Sequence, residues 1–331
     1  MDNREGLSNF NDVDRFELFS RQDREENMQN RLNIKRKVQC VILMPVGPNS
    51  RIDQLCDTIE SIIHFTTGSC ALVLLDDTRD GLQGRDITHN FPIDLFRAGK
   101  NEGYSVRGSL YHNLSVAIKY IISNYDFDML LRMDDDALFI GHGSERSAWH
   151  FFQSNPEIGS LGSFRYSCTG KRRDFKQAAR RLAFEASVVG SFLHPALART
   201  LRKIRRVAVQ NGYEAGEHCL GAACFYSKAA ITALADQGLL AREELRATKL
   251  CDDQLFGMLL VAAGFHAADF AGPGQPLGLA WKGLPASPKK LIELDKKIVH
   301  SVKSYKHANQ DQIRQEFADF RILPVTLADM D

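Results

Sequence analysis

Three apolar runs lay out the first part of the chain: 38–46 (VQCVILMPV), 71–75 (ALVLL) and 128–133 (DMLLRM). Runs of this length with no polar alternation predict strands buried on both faces, as in a parallel sheet. Pro45, Gly47 and Pro48 end the first run. Ile52, Leu55, Ile59 and Ile62/Ile63 then recur at helical spacing, which predicts an amphipathic helix. A second helix is expected around 109–122, strands at 157–164 and 219–226, and helices at 228–236 and 252–263. Alternating strands and helices predict an α/β fold, a mostly parallel sheet joined by right-handed crossovers and flanked by helices. Ligands of such sheets sit beyond the carboxyl ends of the strands. Two of the apolar runs lead to acids at that edge, Asp76-Asp77 and Asp134-Asp135-Asp136.

Residues 1–37 hold eight acids and eight bases with few aliphatics, too polar to build a core. They read as a mobile or loosely helical tail, suited to an oligomerisation arm. The 331 residues are 44% apolar and 25% charged with a net charge of +1, ordinary for a soluble protein and no argument for nucleic-acid binding. No apolar run reaches the ~18 residues of a membrane span. The first residues lack the apolar stretch of a secretory signal, so a cytoplasmic location is expected. Seven dispersed cysteines without a CxxC pair predict free thiols, not a disulfide framework or a zinc site. Charge is uneven, however: 165–206 carries 12 Lys/Arg against Asp174 and Glu185. In that segment Leu197, Leu201, Ile204 and Ala208 line one helical face, and Arg199, Arg202, Lys203, Arg205 and Arg206 fill the others. Such a helix either packs its stripe on the core or lies on an anionic membrane or acidic acceptor.

The triple aspartate carries the most chemistry. Three adjacent carboxylates repel one another unless a cation is present, and Mg²⁺ or Mn²⁺ binds through one or two carboxylates plus substrate phosphates. A solvated acidic turn is the competing reading. The flanking apolar residues LLRM and ALFI pin these carboxylates in place. Asp76-Asp77 suits either a hydrogen bond to a base or ribose or an Asx turn into the next loop. Asn101-Glu102-Gly103 and Arg107 precede a helix, where N–H groups and a guanidinium can meet phosphate. Cys251-Asp252-Asp253-Gln254 opens another helix; capping accounts for one acid and leaves the second available as a general base. In His300-Ser301-Val302-Lys303, an imidazole and an ammonium at i, i+3 can meet a metal diphosphate together.

In this order, VILMPVG, LVLLDDTRDG, LLRMDDDALFIG, GAACFYSKAAITAL (221–234), CDDQLFG and HSVK, the motifs resemble the GT-A-type glycosyltransferases over about residues 38–305. The resemblance implies a polar tail (1–37), a nucleotide half (38–140), an acceptor half (141–305) and a C-terminal extension (306–331). It implies that Asp136 and His300 hold Mn²⁺ or Mg²⁺, and that Asp134 and Asp135 face the ribose or sugar. Asp76 or Asp77 faces the base, and Pro45, Arg107 and Lys303 belong to the nucleotide-sugar site. Asp253 aligns with the second acid of the family's Glu-Asp motif and is the expected base. Cys251-Asp252 departs from the commonest form and keeps Asp252 in contention. Trp281-Lys282, after a Gly/Pro-rich stretch, is a candidate lid or sugar-stacking loop, or an ordinary buried Trp beside a surface loop.

The implied partners are a nucleotide-sugar donor, with UDP preferred, and a glycan or lipid-linked glycan acceptor, with peripheral contact at the inner face of a membrane. Attack of an acceptor hydroxyl in line with the leaving diphosphate would invert the anomeric centre. A haloacid-type phosphatase would require Thr or Val where Leu138 stands. A sugar-nucleotide pyrophosphorylase would require a glycine-rich loop in place of PVGPNSRID. A non-enzymatic adaptor built on 165–206 leaves the acids and HSVK without a role.

Overall fold

The computed structural model describes residues 35–82, 91–98 and 106–322. A short strand, β1 (Arg36–Lys37), precedes β2 (Cys40–Val46), helix α1 (Ile52–Phe65), β3 (Cys70–Asp76) and β4 (Ile93–Phe96). Helix α2 (Val106–Asn124) leads through β5 (Tyr125–Asp126) to β6 (Met129–Met133), β7 (Leu138–Phe139), α3 (Ser144–Ser154) and β8 (Ile158–Gly162). Then come α4 (Lys176–Glu185), α5 (Val188–Leu193), α6 (Pro195–Gln210), β9 (Ala223–Ser227) and α7 (Lys228–Asp236). The last part holds α8 (Asp252–Ala262), β10 (His266–Asp269), β11 (Leu277–Leu279), α9 (Pro288–Glu293), β12 (Ile298–His300), β13 (Ser304–Tyr305), β14 (Ala308–Asn309) and α10 (Gln310–Ile322).

The main sheet has seven strands in the order β10-β8-β9-β6-β2-β3-β4. Strand pairings are parallel except at β9, which runs against both β6 and β8. This is the mostly parallel, helix-flanked architecture expected from the alternation of strands and helices. The three apolar runs are buried on both faces, and alternate residues go to opposite layers. Val41, Leu43, Val73 and Leu75 join the layer of α2, α6, α7 and α8. Ile42, Met44, Leu72 and Leu74 join that of α1 and α3. In α1, Leu55, Ile59 and Ile62 are buried, whereas Ile52 and Ile63 of the expected apolar face lie exposed.

A second sheet, β11-β12-β7, holds the strand that follows the triple aspartate antiparallel to β12, with Val299 opposite Leu138. That register sets His300 beside Asp136. Below it, Leu138, Val299 and Val302 pack with Ile313 and Phe317 of α10, so part of the segment read as a C-terminal extension packs beneath this sheet. In α6 the stripe Leu197, Leu201, Ile204 and Ala208 is buried against the core. Of the two readings of the basic helix, core packing is correct for these four residues. The polar tail lies almost wholly outside the described residues. Among the described residues, no helix is long and apolar enough to cross a membrane.

Candidate active site

Asp134, Asp136 and His300 each bring one ligand atom into a cluster whose members lie within 4.8 Å of one another. His300 Nε2 is 3.3 Å from Asp136 Oδ1 and 3.6 Å from Asp134 Oδ2. Its Nδ1 lies 2.8 Å from the Ala280 carbonyl, which accepts its hydrogen and leaves Nε2 aimed at the two acids. Asp136 also accepts from Ser301 Oγ (2.7 Å) and pairs with Lys303 Nζ (3.0 Å). Burial by itself raises the Asp136 carboxyl, but His300, Ser301 and Lys303 outweigh it and hold the group below the usual carboxylate range. Burial lowers His300, and the facing acids more than reverse this, so its pKa is raised. Two carboxylates and one imidazole with its second nitrogen anchored form a donor set that could hold a divalent cation.

The sequence singled out three aspartates, and the fold separates them. Asp135 turns out of the cluster: its carboxylate is bonded by Ser50 Oγ, and its carbonyl accepts from Thr58 Oγ1 (3.0 Å) and Arg314 Nη2 (3.3 Å). These bonds tie the acidic turn to α1 and α10.

Asp252 and Asp253 reach the same edge by a different route. Arg132 is buried near the end of β6, with Nη1 2.6 Å from Asp134 and Nη2 donating to Asp252 at 3.0 Å. Burial raises Asp252 to about 6 against the pull of Arg132. Asp253 is half-buried and accepts from the Gly221 N–H (3.1 Å) and from the Gln254 N–H (2.8 Å). One residue further on, the Ala222 carbonyl accepts from the Asp134 N–H at 3.0 Å. The segment 221–222 thus joins Asp253 to the cation cluster. His218 Nε2 lies 3.8 Å from Asp253 and accepts from Arg173 (3.2 Å), and its Nδ1 faces the Gly216 carbonyl (2.6 Å). Burial lowers the His218 pKa, opposed by Asp253, so the ring stays neutral. No local pattern in the sequence pointed to His218 or Arg173. Arg132 did leave a signal, a lone charge inside an apolar strand.

The remaining candidates are placed as follows. Both Asp76 oxygens hold their own loop, taking bonds from Thr78 N–H (3.0 Å), Thr78 Oγ1 (2.6 Å) and Leu82 N–H (3.0 Å). Of the two readings, the Asx turn describes Asp76, and the exposed Asp77 is the acid open to a ligand. Pro45 is half-buried in β2 opposite Leu75. Arg107 donates to the Lys249 carbonyl (2.9 Å) at the approach to α8, and 101–103 lie outside the described residues. Trp281 is not the buried Trp of the ordinary reading; it is 75% exposed with Lys282 Nζ 4.9 Å from its ring centre. Its neighbour Ala280 exchanges two bonds with His300, so the Trp281-Lys282 loop starts at the cluster.

No family model and no curated protein sequence matches the chain. Among solved structures it is similar to the galactosyltransferase LgtC in complex with donor and acceptor sugar analogs, at 12% identity and a TM-score of 0.46 over 87% of this chain and 97% of that one. It is also similar to the bifunctional glycosyltransferase WbbM, at 11% identity and a TM-score of 0.46 over 88% of this chain and 51% of that one. A third is a glycosyltransferase involved in glycosylation of the major capsid of PBCV-1, at 10% identity and a TM-score of 0.42 over 85% and 99%.

Proposed function

We propose that this chain is a GT-A-type, metal-dependent glycosyltransferase that moves a sugar from a nucleotide-sugar, foremost a UDP-sugar, to a hydroxyl of a glycan or lipid-linked glycan. The carrying observation is the convergence of Asp134, Asp136 and His300 on one point, with Asp253 joined to it through 221–222. Asp134, Asp136 and His300 would hold Mn²⁺ or Mg²⁺, which when bound supplies Lewis-acid stabilisation of a departing diphosphate. Lys303, on Asp136, offers an ammonium to the same phosphate oxygens. Asp253 is the base for the acceptor hydroxyl: it is half-buried, and two backbone N–H groups orient its carboxylate. Asp252, enclosed and held by Arg132, is a positioning residue. Attack from the Asp253 side inverts the anomeric carbon. Asp77 faces the base, and Trp281-Lys282 covers the donor and keeps water out.

The test is a thermal-shift panel of nucleoside diphosphates and their sugars, with and without Mn²⁺. A ligand at 100 times its Kd adds about 2.7 kcal/mol of stability. The expected result is stabilisation by uridine nucleotides that needs the metal and disappears in Asp136→Asn. Indifference to every nucleotide, or a shift that survives Asp136→Asn, refutes the proposal.

A further inference from the structure

The charged segment 165–206 contains apolar residues that the core does not use. In α5, Val188, Val189, Phe192 and Leu193 are 71%, 56%, 86% and 60% exposed, and Phe184 at the end of α4 adds 53%. Spacing of i, i+1, i+4 and i+5 puts the four on one face of the short helix. The opposite face is fixed. Gly190 is buried, and a Cβ there would stand 2.3 Å from the Glu185 carbonyl, so α5 packs directly on the end of α4. Ser187 caps α5, and Arg202 Nη1 bonds Ser191 Oγ (2.8 Å) and the Ala186 carbonyl (3.3 Å). The fold therefore holds two aromatic and three aliphatic side chains out into solvent on a braced knuckle.

Its surroundings are cationic. Lys176, Arg180 and half-buried Arg181 line the groove beside Phe184. Arg199, Arg202, Lys203 and Arg206 are exposed along α6, which follows α5 directly. From Arg165 to Tyr213 the acids are Asp174, which lines the start of the same groove 4.0 Å from Lys176 Nζ, and Glu185. Glu185 is buried and spent on Thr248 Oγ1 and the Lys249 N–H (2.8 Å). A second copy of this face would oppose cation to cation, which argues against a symmetric dimer through it. Apolar tips within a ring of Lys and Arg fit an anionic bilayer, where the tips enter the acyl boundary and the cations meet headgroups.

We propose that the α4–α5 knuckle, tipped by Phe184, Val188, Val189, Phe192 and Leu193 and rimmed by the α4 and α6 cations, docks this chain on an anionic membrane surface. The docking face differs from the apolar stripe of α6, which the core consumes. It requires no donor chemistry and stands whether or not the glycosyl-transfer proposal does. It does set a useful geometry. Phe175 packs on His218 (ring centres 5.3 Å apart) beside Asp253, and the ten residues of α4 carry the chain ~15 Å from there to the knuckle.

The test is co-sedimentation of the full chain with vesicles of phosphatidylcholine alone and of equal parts phosphatidylcholine and phosphatidylglycerol. Binding to the mixed vesicles and not to the neutral ones is expected. The double variant Val188→Ser/Phe192→Ser should lose at least tenfold in partitioning with an unchanged circular-dichroism melt. Arg199→Gln and Lys203→Gln should each cost about fivefold, the weight of one cation near an anionic surface. Failure of the wild type to bind the mixed vesicles overturns the proposal, as does full binding by the serine variant. Self-association that the serine variant abolishes, without vesicle binding, would assign the face to a second copy and overturn it as well.

Discussion

Arg132 joins the two halves of the candidate site, and replacing it by Met tests that arrangement. Methionine keeps most of the stem and removes the guanidinium, leaving Asp252 enclosed without its cation. Asp134, being more exposed, can turn to water. Removing one partner of a buried pair costs roughly 3–5 kcal/mol, a large part of the 5–15 kcal/mol that holds a typical fold. Protonation gives Asp252 a way out, and its sign is fixed. Its folded pKa, already raised to about 6, lies above the unfolded ~3.9, so the folded state binds more protons between those values. Stability is thus lost as pH rises through the folded pKa, and loss of Arg132 carries that window higher. Denaturant unfolding followed by circular dichroism should give a deficit near 3 kcal/mol at about pH 8 and a clearly smaller one at about pH 5. Asp252→Asn in the same chain should recover most of it. A deficit under about 1 kcal/mol at the higher pH, equal deficits at both, or no recovery would refute the bridging role of Arg132.

Three further outcomes follow from neighbouring contacts. His218 is held neutral by burial, so wild-type stability falls as pH drops below the unfolded value of about 6.5; His218→Gln should flatten that limb of the stability–pH curve. In α8, a Cβ on Gly257 would stand 2.6 Å from the Glu217 carbonyl, so Gly257→Ala should cost about 1–3 kcal/mol in a thermal melt. Asp135→Asn should leave metal-dependent nucleotide affinity within about tenfold of wild type in calorimetric titrations, because that carboxylate serves Ser50 outside the cluster.

What could be read in advance follows burial and element length. The strands Cys40–Val46, Cys70–Asp76 and Met129–Met133 are buried on both faces and carry their strand signal in nearly every residue. The acids of 252–253 announce a helix start. Strands β11 and β12 are three residues each, too short for any period, so the register that sets His300 beside Asp136 was invisible. Asp76 and Asp77 differ by one position, and only loop geometry tells an Asx turn from an open carboxylate. His218 meets Asp253 from 35 positions away, and no local motif marks the His218 end. The basic segment was misleading in a different way. Its helical stripe was legible but fitted core and membrane alike, while the exposed Val188, Val189, Phe192 and Leu193 before it lie in a helix of six residues, too short to show a period.

The reversal of β9 explains why these acids meet. A parallel strand between β6 and β8 would bring its carboxyl end to the edge where β6 delivers Asp134. Strand β9 runs the other way, with Ala223 opposite Met133, so the chain entering it crosses that edge. Its backbone is then unspent at the right place: the Gly221 N–H faces Asp253, and the Ala222 carbonyl faces the Asp134 N–H. Gly221 suits this approach, since a Cβ there would stand 3.1 Å from Asp253 Cβ. Helix α8 brings its first turn to the same edge, where its dipole favours the ionised form of Asp252 and works against the burial that raises it. One strand entering backwards thus supplies a donor to one acid and an acceptor at the other, and it does so with main-chain groups that no substitution but proline removes.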